Sequence, residues 1–198
     1  MSTKDPLLIE AIDRLRHLLD RAKETLLPEP SAVCLATADA NGAPRARMVL
    51  MRGLDATGCV FYTNLGSRKG QHLAQNSRAA LCFYWPPLAQ QVTVEGVIAS
   101  VSDAEADAYW SSRPRESQIG AWASRQSEPL PSRFTLLRRV LKDTARFSTG
   151  PIPRPPFWSG FRLVPARIEF WSSRPARLHE RWCYERQEGG WRKTLLYP

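Results

Sequence analysis

The chain has 198 residues, of which 43% are hydrophobic and 10% aromatic, so it can fold as one packed domain and is not a disordered tail. Its formal charge is +9, but the basic residues are scattered, and a small phosphorylated ligand explains them as well as nucleic acid does. No apolar run approaches the roughly 18–20 residues of a membrane span and the N-terminus is charged, so a soluble cytoplasmic protein is expected.

The cysteine and histidine content argues against a metal site. The four cysteines are widely spaced, include no Cys-x-x-Cys pair, and are joined by only three histidines. Buried free thiols are therefore expected rather than disulfides or a zinc site, and metal catalysis is not expected.

The first third of the chain predicts a helix followed by short strands. Apolar residues recur every three or four positions over residues 6–27, which indicates an amphipathic helix ended by Pro28 and Pro30. A strand is expected over residues 31–38, followed by a hairpin turn at Asn41-Gly42. Two further strands are expected over residues 45–51 and 58–63.

The rest of the chain alternates short helices and strands. Ser67 and Ser102 are suited to cap helices. Expected helices cover residues 67–75, 102–112, 115–125 and 132–147; expected strands cover 79–85, 91–101, 161–164, 167–171, 178–185 and 191–196; residues 150–156 form a proline-rich loop. This order favours an antiparallel barrel with peripheral helices, a mainly β fold. No glycine-rich nucleotide-binding loop follows a strand.

A first basic cluster lies where a strand meets a helix, in Phe61-Tyr-Thr-Asn-Leu-Gly-Ser-Arg-Lys-Gly70. Arg68 and Lys69 fall in the first helical turn, where free N–H groups and the helix dipole attract an anion. Cations there are unfavourable for the helix itself, which indicates an anionic partner. A solvated basic turn explains the motif equally well.

Two further clusters contain arginine. Arg47 and Arg52 bracket an apolar strand and fall on opposite faces of a regular strand. Both reach one ligand only if the strand bends or if each arginine serves a different group of the ligand. Tyr109 and Arg113 are neighbours on one helix face, and Pro114 breaks the chain so that Ser117 can turn back. Phenol, guanidinium and hydroxyl would together form a phosphate clamp, although a polar helix end is the simpler alternative.

The last cluster is Arg177-Leu-His179-Glu-Arg181. In an extended segment Arg177, His179 and Arg181 share one face, with Leu178 on the other. Because three cationic or near-cationic side chains in a row repel each other, an anionic or electron-rich ligand is expected against them.

These clusters, in this order, resemble the pyridoxamine/pyridoxine 5′-phosphate oxidase family. The matching stretches are Arg47-Met-Val-Leu-Met-Arg52, Phe61-Tyr-Thr-Asn-Leu-Gly-Ser-Arg-Lys69, Gln91-Val92, Ser112-Arg-Pro-Arg-Glu-Ser-Gln-Ile-Gly-Ala-Trp122, Ser124-Arg-Gln-Ser127, Ile168-Glu-Phe-Trp171 and Arg177-Leu-His-Glu-Arg181. The resemblance implies one FMN-binding split β-barrel domain over residues 1–198, with 156–198 as a dimerisation and substrate-site segment. It implies a homodimer with two flavin sites at the subunit interface.

The resemblance also implies site residues by position. Those expected to contact FMN are Arg47, Met48, Val49, Leu50, Met51, Arg52, Tyr62, Thr63, Arg68, Lys69, Gln91, Gln126, Ser127, Trp171 and Arg181. Those expected to bind the substrate are Arg52, Tyr109, Arg113, Ser117, Arg177, Leu178 and His179, of which Arg177 and His179 are the expected catalytic residues.

The activity implied is hydride transfer from the substrate C4′ carbon to flavin N5, after which O2 reoxidises the flavin and gives hydrogen peroxide and pyridoxal 5′-phosphate. Two features depart from the family pattern. Arg52 stands where lysine is usual, and the N-terminal extension that covers the substrate in many members is not expected in this chain.

Three alternatives remain at this point. A related FMN oxidase of the same fold could act on another substrate, such as a phenazine precursor. A split barrel could bind flavin without catalysis, although it would not need Tyr109, Arg113, Ser117 and His179 together. A nucleic-acid binder predicts steeply salt-dependent affinity and a colourless protein; neither nucleic acid nor membrane is an expected partner.

Overall fold

A computed structural model describes residues 5–198, which form five α-helices and eight strands. The helices are α1 (Pro6–Lys23), α2 (Arg68–Gln75), α3 (Asp103–Ser112), α4 (Arg115–Ala123) and α5 (Arg133–Arg146). The strands are β1 (Ala32–Ala38), β2 (Pro44–Asp55), β3 (Gly58–Asn64), β4 (Arg78–Trp85), β5 (Gln90–Ser100), β6 (Trp158–Ser172), β7 (Glu180–Gln187) and β8 (Gly190–Leu196). Short 3-10 turns lie at Pro86–Leu88 and Pro175–Arg177.

Six strands close into a barrel. Their order is β3-β2-β1-β4-β5-β6, pairing of β3 with β6 completes the ring, and β7 and β8 continue the sheet from β6. Every neighbouring pair is antiparallel. The predicted antiparallel barrel with peripheral helices is therefore confirmed.

The barrel interior is the main hydrophobic core. Alternate residues of each strand point inward, as the two-residue period of a strand requires, and Leu35, Leu81, Phe83 and Leu163 are fully buried there. Helix α1 adds its apolar face to the same core. At its start the Asp5 carboxylate accepts hydrogen bonds from Leu7 N at 2.9 Å and Trp191 N at 3.0 Å, which ties α1 to β8.

Strand β6 is continuous where the sequence predicts two strands. Pro165 lies opposite Gly96 at a register shift in the β5–β6 pairing. Because the regular hydrogen-bond pattern is interrupted there, a proline without a backbone N–H is tolerated within the strand. The first half of β6 pairs with β3 and the second half with β7, which joins the barrel to its two-strand extension.

The helices match the predicted elements with shorter ends and one difference in packing. Helix α1 ends at Lys23 rather than near residue 27, and α5 covers Arg133–Arg146. The apolar residues on one side of α5 are largely outside the core: Leu137 is 57% exposed and Leu141 is 69% exposed. Periodicity identifies such a face but not what covers it.

Within residues 5–198, no helix combines the length and apolar character that spanning a membrane requires. The same part of the chain holds no group of three or more His, Cys, Asp or Glu side chains placed to bind a metal ion.

Candidate active site

Three aromatic rings from separate elements form one wall of a cleft beside the barrel. Tyr62 of β3 stacks on Tyr109 of α3, with ring centres 4.0 Å apart and planes 15° apart. Tyr62 also stacks on Trp158, the first residue of β6, at 5.4 Å. The stack fixes the position of α3 against the barrel, and it therefore places the residues that follow α3.

Arg113, the first residue after α3, lies against this wall. Its guanidinium carbon is 4.8 Å from the centre of the Trp158 ring and 5.1 Å from that of Trp110. Burial lowers the pKa of Arg113 from its usual value. Its Nη1 atom is buried and has no hydrogen-bond partner within residues 5–198. A buried cationic donor left free in this way indicates a position for an anionic ligand group.

The predicted phosphate clamp surrounds one cavity. A space of about 340 Å³ is lined by Arg52, Tyr109, Arg113 and Ser117, together with Tyr62. The structure thus brings together the four residues expected to hold a substrate phosphate. Met48, Val49 and Leu50 line the same cavity, whereas the Met51 side chain is 5% exposed and packs in the barrel core.

A bulge in β2 resolves how Arg47 and Arg52 can both serve the site. The pairing of β2 with β3 shifts register between Met51 and Gly53, so Arg52 lies at the irregularity. Arg52 points to the 340 Å³ cavity and lies 3.9 Å from the Glu29 carboxylate. Arg47 lines a second, adjoining cavity, so each arginine serves a different part of one cleft.

The second cavity is lined mainly by cations. Its volume is about 600 Å³, and its lining residues, none of them acidic, are Arg45, Ala46, Arg47, Arg68, Lys69, Gln126 and Ser127. Ser67 caps α2 as predicted, and the Arg68 backbone N–H at the start of this helix donates to the Ser127 hydroxyl at 3.2 Å. This combination of a helix N-terminus and several cations suits a phosphate.

Lys69 lies between the two cavities and lines both. Its ammonium donates to Thr63 Oγ1 and to Gln126 Oε1, each at 2.9 Å. Burial, and to a lesser extent the positive charge of Arg47, lowers the pKa of Lys69 from 10.5 to about 8. Neutral oxygens therefore hold this ammonium but do not compensate its positive charge. A bound anion would compensate that charge.

A second group of predicted site residues lies away from both cavities. Gln91 of β5, Trp171 of β6 and Arg181 of β7 are paired across neighbouring strands. The His179 ring lies 4.7 Å from the Trp171 ring, centre to centre. None of these residues, nor Arg177 or Leu178, lines either cavity. Strands β1 and β4 separate β2 from β5 in the sheet, so one chain divides the predicted site into two groups.

The prediction that Arg177, His179 and Arg181 share one face of a strand is wrong. Strand β7 begins only at Glu180, and Arg177 ends a 3-10 turn that starts at Pro175. Arg177 has a φ of 60° there, in the left-handed region, so the two-residue alternation does not extend back to it. His179 Nδ1 instead accepts a hydrogen bond from the Arg174 N–H at 3.2 Å.

Four residues in the cleft or packed against it were not predicted: Arg45 and Ala46, which line the second cavity, and Trp158 and Thr37. Trp158 stacks with Tyr62 and Arg113, and its only sequence signal is an aromatic pair directly after the proline-rich loop. Thr37 contacts Arg47 from inside the barrel, and as one threonine within an apolar strand it gives no sequence signal.

Two family sequence models match this chain. Residues 19–144 match the sequence model of a family described as pyridoxamine 5′-phosphate oxidase. Residues 158–198 match one described as the pyridoxine 5′-phosphate oxidase C-terminal dimerisation region. The chain belongs to the pyridoxamine 5′-phosphate oxidase family. The predicted family and the assignment to the oxidoreductases are thereby confirmed.

Relatives in this family match nearly the whole chain. A pyridoxine/pyridoxamine 5′-phosphate oxidase of Alkalilimnicola ehrlichii is 55% identical over 194 residues, which cover 97% of this chain and 99% of the relative. A pyridoxine/pyridoxamine 5′-phosphate oxidase of Brucella canis is 56% identical over 172 residues, which cover 86% of this chain and 85% of the relative. The crystal structure of PhzG from Burkholderia lata in complex with tetrahydrophenazine-1-carboxylic acid superposes on this chain with a TM-score of 0.90. The two sequences are 33% identical, and the match covers 94% of this chain and 92% of PhzG. The fold therefore serves more than one substrate.

Proposed function

We propose that this protein is an FMN-dependent oxidase that converts pyridoxamine 5′-phosphate or pyridoxine 5′-phosphate to pyridoxal 5′-phosphate, with O2 as electron acceptor and H2O2 as product. The observation that carries the proposal is the buried, unpartnered Nη1 of Arg113 in a cavity shared with Tyr109 and Ser117, beside a second cavity lined by cations. Two adjoining anion positions suit two phosphate-bearing ligands, a cofactor and a substrate. The names of the curated relatives support the same activity.

The residues of the second cavity fit FMN. Arg47, Arg68 and Lys69 offer positive charge that no lining carboxylate compensates, and Ser127 offers a hydroxyl beside the start of α2. When bound, FMN supplies the redox chemistry, accepting a hydride from the substrate and passing the electrons to O2. The protein supplies the position of the ring and the charge around it.

The residues of the first cavity would hold the substrate by its phosphate. Arg113 would donate through its free Nη1, supported by the Tyr109 and Ser117 hydroxyls and by Arg52. The stacked rings of Tyr62 and Trp158 close one side of the cleft and exclude water there. Binding energy at the phosphate would then orient the reacting carbon.

The second group of residues would complete the site from another copy of the chain. Gln91, Trp171 and Arg181 lie side by side on the paired strands β5, β6 and β7, and none of them lines either cavity. A homodimer would bring this group of one subunit to the cavities of its partner, and two-fold symmetry would create two such sites. Arg177 and His179 would then position the pyridine ring and provide electrostatic or proton support at C4′. The match of residues 158–198 to a dimerisation region supports this arrangement.

A related oxidase acting on a phenazine precursor is the second candidate, because the PhzG structure superposes so closely. The phosphate clamp favours the vitamin B6 substrates, since a ligand without a phosphate leaves Arg113 Nη1 without a partner.

The test combines a spectrum with an assay. The purified protein is expected to show the visible absorption of a flavin, to bleach when pyridoxamine 5′-phosphate is added without oxygen, and to form peroxide in air. Pyridoxamine without the phosphate serves as the matched poor substrate, and a phenazine precursor tests the second candidate. A yellow protein that bleaches with none of them indicates flavin binding without catalysis, and a colourless protein contradicts the proposal.

A further inference from the structure

Among the residues that the structure describes, Arg47 at the cation-lined cavity is held only by neutral oxygens. Its Nη1 atom donates to the Leu35 carbonyl at 3.0 Å and to the Thr37 hydroxyl at 2.7 Å. Burial lowers the pKa of Arg47, with Arg45 contributing in the same direction. The guanidinium is thus fixed on one side, and its other N–H groups remain available toward the cavity.

Thr37 lies inside the barrel and is 4% exposed. It is on the same inward face of β1 as Val33 and Leu35, in a position otherwise filled by apolar side chains. Behind it, the Nδ1 atom of His72 in α2 lies 3.4 Å from the Thr37 hydroxyl. Since the hydroxyl oxygen accepts from Arg47, its own hydrogen is free to point to His72. A buried chain therefore runs from α2 through β1 to the cavity.

We propose that Thr37, backed by His72, is a positioning residue that fixes the Arg47 guanidinium for binding FMN. This inference rests on the proposed function. An aspartate at this position would hold Arg47 as firmly but would neutralise it, and the cavity would lose part of its attraction for an anion. A threonine hydroxyl orients the guanidinium and leaves its full charge to the ligand.

The direct test is Thr37→Val, which keeps the shape of the side chain and removes the hydroxyl. FMN dissociation from the holoenzyme is followed by the rise in flavin fluorescence on dilution. Loss of a hydrogen bond to a charged group predicts a dissociation constant about tenfold higher, and Thr37→Ser is expected to stay within about twofold of the parent protein. The matched control is Thr25→Val, which removes a hydroxyl hydrogen bond of the same 2.7 Å length at the end of α1, outside both cavities.

A double-mutant cycle separates positioning from general loss of stability. In an Arg47→Met background, Thr37→Val is expected to change FMN binding by less than about twofold, because its partner is gone. His72→Leu removes the acceptor of the hydroxyl while Thr37 stays, and about threefold weaker binding is expected. The inference is overturned if Thr37→Val weakens binding equally with and without Arg47, or if neither Thr37→Val nor His72→Leu weakens it. A parent protein that binds no FMN would instead contradict the proposed function.

Discussion

Arg113 lies against the Trp158 ring, with the guanidinium carbon 4.8 Å from the ring centre, although one residue follows α3 and the other starts β6. This contact holds the guanidinium beside the aromatic wall, while its buried Nη1 atom has no hydrogen-bond partner within residues 5–198.

Arg113→Met is expected to raise the KM for pyridoxamine 5′-phosphate about 10- to 100-fold, because a charged hydrogen bond to the phosphate is lost while methionine keeps much of the apolar contact. The FMN content is expected to stay unchanged, since Arg113 does not line the cation cavity. Steady-state kinetics measure the effect, with pyridoxamine lacking the phosphate as the control substrate. An equal loss for both substrates would show that Arg113 does not recognise phosphate.

FMN affinity is expected to fall as the pH rises from about 7.5 to 9.5. The pKa of Lys69 is lowered to about 8, so its charge disappears over this range, and a bound anion that favours the charged form makes binding require proton uptake. The dissociation constant is measured against pH at constant ionic strength. Lys69→Arg keeps its charge throughout and is expected to remove the dependence. An unchanged pH profile in that variant would exclude Lys69 as its source.

Gly160→Ala is expected to destabilise the protein by about 1–3 kcal/mol, because overpacking displaces well-packed neighbours. A Cβ atom at Gly160 would lie 2.7 Å from two carbons of the Tyr62 ring, which belongs to the aromatic wall. Gly120→Ala is the control, because Gly120 lies in α4 and nothing lies within 4 Å of the added Cβ atom. The free energy of unfolding of this variant is expected to rise by about 0.5–1 kcal/mol, since alanine favours a helix over glycine. Urea unfolding measures both, and similar shifts for the two variants would refute the steric argument.

Arg177→Ala is expected to lower turnover far more than FMN occupancy, because Arg177 is proposed to act at the substrate ring rather than to hold the cofactor. The kcat is measured together with the flavin absorbance per protein chain. Arg192→Ala removes an exposed cation of β8 and is the control for charge alone. Equal loss of turnover and flavin would contradict this division of roles.

Mixing two impaired variants, assayed at a substrate concentration well below the KM of the parent protein, tests whether the site is shared between subunits. Arg113→Met damages the cavity group, and Arg177→Ala damages the group proposed to come from the partner. After denaturation and joint refolding, half of the dimers are mixed and each has one intact site, so roughly a quarter of the parent activity is expected. A site built entirely from one chain would give no recovery.

Local signals in the sequence were sufficient for the elements and their caps. Ser67 and Ser102 accept hydrogen bonds from Gly70 N and Glu105 N, as expected from hydroxyl residues directly before helical segments. Arg68 and Lys69 could be assigned to an anion site because the helix start and the charges lie within a few residues of each other.

Features that depend on distant segments were not predictable in the same way. Trp158 forms part of the site only because β6 pairs with β3, which brings it beside Tyr62. The geometry at Arg177 depends on a left-handed turn after Pro175, which residue alternation cannot reveal. The pairing that lets Pro165 remain within a continuous strand is likewise a property of the assembled sheet.

The uncompensated cations around Lys69 and Arg47 also affect the stability of the protein and its lifetime in the cell. Their mutual repulsion weakens the folded chain, and an anion that binds only the folded form relieves it, so ligand supply adds to thermal stability by mass action. With FMN as the proposed anion, a shortage of flavin would lower the amount of this protein in a cell, because degradation removes chains that unfold more often.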